Sequence, residues 1–377
     1  MIFSTNKKRK DHLMNIIKRI SAAFLGLFML TACSSKNSSE SSSEAEVTAS
    51  VQTTAPAEED DTSKEENPPL SNDINPLTGE LGYNKNAVGK RPVAVMVNNL
   101  KGALPQYGIE AADVIYEIPV EGGITRLMAV YADYTAVPSV CSVRSCRYYY
   151  PIICLGMDAI YCHWGSDQTI ALDTLNRTGI DHLDGGGDLY GTLFLRDEDR
   201  LKKYASEHCG YLDGSKLAES IELKNFRTDL DEAHKDTMFP FSQEGVTPDT
   251  PANEVILNFS NAYYSTFSYD PDSGKYLKFH SGNEQIDQST GNQLAFENVF
   301  ILQTSIYTRS DGYLMNVELS GGSGYYASNG GIEEITWQKE SESSPIEVFD
   351  MSGEELTVSA GKSYIGIIGS DKYISIT

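Results

Sequence analysis

An apolar stretch of eleven residues, Ile20–Leu30, closes in Leu30-Thr31-Ala32-Cys33, and it decides which part of the chain has to fold. The stretch suits the hydrophobic region of a secretion signal and is too short for a permanent bilayer-crossing helix. Lys7, Lys8, Arg9, Lys10, Lys18 and Arg19 supply the basic flank. Two small residues before a cysteine form the pattern at which diacylglycerol is attached to the thiol and the chain is cleaved in front of it. Residues 1–32 therefore read as a lipoprotein signal peptide and Cys33 as the lipidated residue, with either Met1 or Met14 as the start. Two acyl chains anchor stably, since each buried methylene contributes about 0.8 kcal/mol. The expected address is the extracytoplasmic face of the cell membrane.

Cleavage would remove six basic residues and one acid from the 30 and 53 of the whole chain, leaving 24 against 52 and a net charge near −28. Such a surface repels nucleic acid, and no nucleic-acid partner is expected. Residues 33–72 are rich in Ser, Thr, Glu and Asp, carry Pro56, Pro68 and Pro69, and are nearly devoid of apolar side chains. A segment of this kind cannot offset its ordering entropy and reads as a disordered tether with a span on the order of 35 Å. A glycosylated or partner-binding stalk is the alternative.

The remaining chain exceeds a comfortable single core, so two domains are expected, 73–242 and 252–377. The Gly- and Pro-containing run between Phe241 and Asn253 breaks all periodicity there. In the first domain, Arg91–Val97, Val114–Ile118, Leu127–Tyr131 and Ala159–His163 read as strands. Asp167–Arg177, capped by Ser166, and Gly214–Leu223, capped by Asp213, read as helices. In the second, Glu254–Phe259, Thr266–Tyr269, Tyr276–Phe279, Val299–Gln303, Leu314–Leu319, Ile332–Trp337, Glu355–Val358 and Tyr364–Ile368 read as strands, with a hairpin at Asp270-Pro271-Asp272-Ser273-Gly274. The expected class is α+β: an N-terminal α/β-type domain with a mixed sheet, then a mostly antiparallel β domain.

Several motifs carry a family resemblance. They include Asn75-Pro76-Leu77-Thr78-Gly79, Pro105-Gln106, Glu121-Gly122-Gly123-Ile124-Thr125-Arg126, Val143-Arg144-Ser145 with Arg147, and Arg196-Asp197 with Arg200. Farther on stand Tyr269-Asp270, Asn298-Val299, Gly322-Ser323-Gly324, Trp337 and Gly361-Lys362. With these the chain resembles the YerB-like lipoproteins of Gram-positive bacteria. The resemblance implies a surface address and a two-domain layout, and it brings no catalytic assignment. The chain departs from the family pattern at Cys141 and at His163-Trp164-Gly165-Ser166-Asp167, where Trp164 would reshape any pocket; His208-Cys209 stands near the place of a family His-Asn pair.

Arginines in an acidic body are the most informative polar feature. Asn98, Arg126, Arg144, Ser145, Arg147, Arg196 and Arg200 are candidate ligand-binding residues, because the planar guanidinium fork suits carboxylate or phosphate. The alternative is that Arg126, Arg144 and Arg147 pair with Glu117, Glu121 and Asp113 and hold strands in register. Glu117, Glu121, Asp158 and His163 are the candidate catalytic residues of a wall-modifying hydrolase or transferase, a reading that needs two carboxyls about 5–10 Å apart. Cys141, Cys146, Cys154, Cys162 and Cys209 form no C-x-x-C pair and are expected as buried thiols, with bridges Cys141–Cys146 or Cys154–Cys209 left open. Cys162-His163 and His208-Cys209 offer zinc-type ligands, but neighbours on a strand point apart, so neither metal nor cofactor is expected. The loop Asp184–Gly191 lacks the features of a phosphate or calcium loop and reads as a flexible connection. Together these observations favour a non-enzymatic envelope protein that binds a wall polymer or another surface protein.

Overall fold

The computed structural model describes residues 73–377; Cys33, the signal segment 1–32 and the tether 33–72 lie outside the described residues. Among the described residues no helix is long and apolar enough to cross a membrane.

The principal strands are, in chain order, β1 (Val93–Asn98), β2 (Val114–Pro119), β3 (Thr125–Tyr131), β4 (Ile160–His163), β5 (His182–Asp184), β6 (Glu254–Asn258), β7 (Tyr264–Asp270), β8 (Lys275–His280), β9 (Asn298–Thr304), β10 (Gly321–Ser328), β11 (Gly331–Gln338), β12 (Ser363–Gly369) and β13 (Ile374–Ile376). The helices of seven residues or more are α1 (Tyr149–Leu155), α2 (Ile170–Thr178) and α3 (Leu217–Leu223). β1 explains the architecture. Its residues Val-Ala-Val-Met-Val-Asn are all buried, so the strand has a core on each side rather than one wet face. Val93, Val95 and Val97 pack into one core with Leu257, Phe267 and Tyr364, and Ala94 and Met96 pack into the other with Tyr149, Ile153 and Phe300.

An eleven-stranded mixed sheet therefore forms the middle layer, in the order β11-β10-β9-β12-β2-β3-β1-β4-β5, with the short strands Thr250–Pro251 and Glu347–Phe349 both pairing with β11. β12 runs parallel to both neighbours, β9 and β2, so both segments of the chain contribute to one sheet. The expected α+β class holds, with mostly antiparallel sheets beside this mixed one; four strands of the later segment, β9 to β12, share the mixed sheet with β1 to β5. β6, β7, β8 and β13 form an antiparallel sheet of their own.

Local chemistry accounts for elements the sequence reading missed. Gly321–Ser328 is not among the expected strands, yet it is a full strand, and glycine is required in it because a Cβ at Gly322 or Gly324 would collide with the Gln303 and Ile301 carbonyl oxygens of β9. Tyr148-Tyr149-Tyr150 opens α1, whose Pro151 falls in the first turn, where a missing N–H leaves nothing unsatisfied. α2 begins at Ile170 rather than at the expected Asp167, with Thr169 instead of Ser166 as its N-cap residue, and the Asp167 carboxylate accepts from the backbone of Ile170 at 2.9 Å and Ala171 at 3.2 Å. Asp213 does cap the segment leading into α3.

Candidate functional site

The extended segment Val143–Arg147 lies across the ends of β1 and β4: the Arg144 N–H donates to the Met96 carbonyl and the Trp164 N–H to that of Arg144, both at 3.0 Å. This placement brings Arg144, Ser145, Trp164, Arg196 and Glu207 onto the wall of one cavity of about 190 Å³. The indole of Trp164 is seated against Gly185 and Gly210, where any Cβ would strike the ring. The guanidinium of Arg196 sits 4.9 Å over that ring and donates to the Ser206 carbonyl; Arg144 donates to the Glu207 carbonyl at 3.0 Å. Backbone carbonyls thus orient both forks, and neither guanidinium forms an ion pair among the described residues, although the Glu207 carboxylate lies near Arg144.

The other expected residues divide around this cavity. Arg126 is buried and donates to the Ser145 carbonyl. Burial first, then the neighbouring Arg147 and Arg144, lower its pKa to about 10. Arg147 is the member of this group with an ion pair among the described residues, its guanidinium meeting the Glu121 carboxylate through contacts of 2.8–2.9 Å. Asn98 opposes Arg126 across the β1–β3 pairing, and its amide lies 3.0 Å from Nδ1 of His208. Arg200 is a pin away from the cavity: it donates to the carbonyls of Ala103 at 2.6 Å, Pro105 at 2.8 Å and His208 at 3.1 Å.

The four candidate catalytic residues do not converge. β2 ends at Pro119 and the chain turns over Glu121–Gly123, so Glu117 faces the β6–β8 sheet while Glu121 goes to Arg147. Asp158 is gripped through both oxygens by Arg227 at 2.7 Å, with Arg91 at 3.2 Å. Asp158, Asp231 and His234 come close enough to suggest a metal, but Asp158 is engaged by these arginines and Asp231 lies 2.5 Å from His234, so their ligand atoms are committed. His163 contacts the Gly165 carbonyl through Nδ1 and Nδ1 of His182 through Nε2, both at 2.9 Å; burial lowers its pKa to about 4. The five cysteines among the described residues, Cys141, Cys146, Cys154, Cys162 and Cys209, are free and buried. The loop expected to be a loose connection is anchored instead, Asp184 accepting from Gly165 at 2.7 Å and Gly186 at 2.8 Å.

Sequence reasoning missed a fully buried polar network between the two sheets. Glu117 accepts from Asn99 at 3.0 Å, Thr125 at 2.7 Å, Ser265 at 2.8 Å and Tyr364 at 2.9 Å, and pairs with Lys278 at 3.1 Å. Burial opposes its charge, but Lys278, His280 and the hydroxyl donors outweigh burial and lower its pKa. Lys278 also reaches Gln285 at 2.7 Å, which continues to Asn99 and Gln106. In β8 Tyr276, Lys278 and His280 alternate with Leu277 and Phe279, but the alternation alone does not say which set faces inward.

The comparisons identify the class. The chain belongs to the DUF3048 family, proteins of unknown function, whose N-terminal domain matches residues 77–227 and whose C-terminal domain matches residues 255–365. The resemblance carried by the motifs therefore holds. A relative is YerB of Bacillus subtilis (strain 168), named as a candidate lipoprotein, which is 29% identical over 300 residues, or 78% of this chain and 85% of YerB. The crystal structure of the Bacillus subtilis YerB protein matches with a TM-score of 0.69 at 27% identity, covering 80% of this chain and 99% of that one.

Proposed function

We propose that the protein is a lipid-anchored, non-enzymatic accessory protein of the cell envelope that binds an anionic group of a wall polymer or of another surface protein in the Arg144–Arg196 cavity. The observation that carries this reading is the cavity wall. Arg144 and Arg196 present guanidinium groups oriented by backbone carbonyls and by the Trp164 ring, and neither makes an ion pair among the described residues. Arg126 stands behind them as a further buried cation. Such forks match the planar oxygens of carboxylate or phosphate. Glu207 on the same wall opposes an anion, so affinity depends on its turning aside. The separate engagement of Glu117, Glu121, Asp158 and His163 speaks against a wall hydrolase built on them. Anchoring through diacylglycerol on Cys33 is supported by the signal pattern and by the name of the relative.

Titration calorimetry of the full-length chain in detergent with a glycerol-phosphate oligomer tests the site. Arg144→Ala and Arg196→Ala should each weaken binding by about tenfold while the melting temperature holds. Undiminished affinity in both variants would overturn the assignment, and unfolding of Arg144→Ala would assign that residue to structure instead. Fatty-acid labelling tests the anchor, since Cys33→Ala should lose the label.

A further inference from the structure

The turn Lys101–Ala103 and the chain following it face the end of β8 and its return, Asn283–Ile286, across a second cavity of about 430 Å³. That volume lies within the range of about 300–1,000 Å³ typical of small-molecule sites. His280 lines it and is 2% exposed, and neither ring nitrogen finds a hydrogen-bond partner of ordinary geometry, although the Asn99 backbone lies alongside. Buried polar atoms without partners are rare in folded proteins. The neighbouring Gln106 and Gln285 also line the cavity, but their amide N–H groups are already engaged: Gln106 donates to the Asn98 carbonyl and Gln285 to Asn99 and Gln106. This leaves the imidazole as the unsatisfied group in a wall that is otherwise fixed.

We propose that this cavity is a binding site for a small, uncharged, hydroxyl-bearing molecule of the sugar class. Burial, then Lys278, lower the pKa of His280 to about 4, so near neutral pH the ring carries one N–H donor and one bare acceptor. A hydroxyl answers both needs, since it can donate and accept. The charges nearby disfavour an ion of either sign. Lys278 is engaged by Glu117, and Lys101 and Glu284 stand on the cavity wall with opposite charges, so neither sign of ion meets an unopposed partner there. Leu104, Pro105 and Ile286 supply apolar surface of the kind the C–H faces of a sugar ring cover. The site is independent of the arginine cavity, with which it shares no lining residue.

The test is saturation-transfer NMR on the full-length chain in detergent, with glucose and N-acetylglucosamine as probes and glucose 6-phosphate as the anionic comparator. A neutral sugar should bind at millimolar concentration and shift the His280 imidazole resonances. His280→Phe should weaken binding by about tenfold or more, and Ile286→Trp, which fills the cavity without touching the buried network, should do the same. Arg144→Ala should leave it unchanged, which separates this site from the one above. Absence of binding by either neutral sugar, preference for glucose 6-phosphate, or native affinity in Ile286→Trp would each overturn the proposal; if His280→Phe fails to fold, Ile286→Trp decides.

Discussion

Replacing Lys278 by Met should destabilise the whole body by about 3 kcal/mol. Breaking a buried ion pair by removing one partner costs about 3–5 kcal/mol, because the other charge is left uncompensated. The lower end applies because the Glu117 carboxylate keeps four hydrogen-bond donors, from Asn99, Thr125, Ser265 and Tyr364. Against a total stability of about 5–15 kcal/mol, the loss is large. With a urea m-value of about 3 kcal/mol/M, the midpoint should fall by about 1 M. Glu117→Gln combined with Lys278→Met removes both charges and should lose less than Lys278→Met alone, giving a coupling of about 2 kcal/mol. The pH dependence supplies a second check. With its cation gone, burial raises the folded-state pKa of Glu117 above its unfolded value, so the variant regains stability relative to wild type as pH falls toward about 5. A Lys278→Met midpoint within about 0.3 M of wild type, or a double variant that loses the sum of the singles, would refute the reasoning.

Other outcomes follow from the same geometry. His163 and His280 each have a pKa lowered from 6.5 to about 4, so the unfolded chain binds more protons between those values; stability should fall as pH drops through that window, by up to about 1.4 kcal/mol per unit for each, measurable by denaturant titration at pH 7, 6 and 5. Burial raises the pKa of Cys141 and of Cys146 to about 12, so a thiol reagent at pH 8 should label the native protein slowly and all five thiols of the described residues once it is unfolded. Gly324→Val should cost about 3 kcal/mol or more, read as a lowered melting temperature, because its Cβ would strike the Ile301 carbonyl.

The strands with continuous apolar runs were legible. Arg91–Val97 and Val114–Ile118 read as strands of a partly buried sheet, and the structure buries them on both faces; Asp270-Pro271-Asp272-Ser273-Gly274 announces its hairpin. β8 was legible as a strand but not in its facing. A pattern rule buries Leu277 and Phe279, whereas the structure buries Tyr276, Lys278 and His280 more deeply, since Glu117 of a strand 161 positions away compensates the lysine. No local signal records that pairing. The arginine cavity was half legible: Arg144, Ser145 and Arg196 were singled out for their chemistry, but the seat of Trp164 on Gly185 and Gly210 arises only from the fold. Arg200 looked the same in sequence and is tied to three carbonyls elsewhere.

The position of β12 has a consequence for how the molecule is made. Residues 363–369 fill the slot between β2 and β9, so until they arrive both strands present bare edges and neither half of the sheet is closed. A nascent chain emerging N-terminus first would have to keep those edges from mispairing until residues 363–369 appear. Removing residues 363–377 should therefore open the middle of the protein rather than trim its margin.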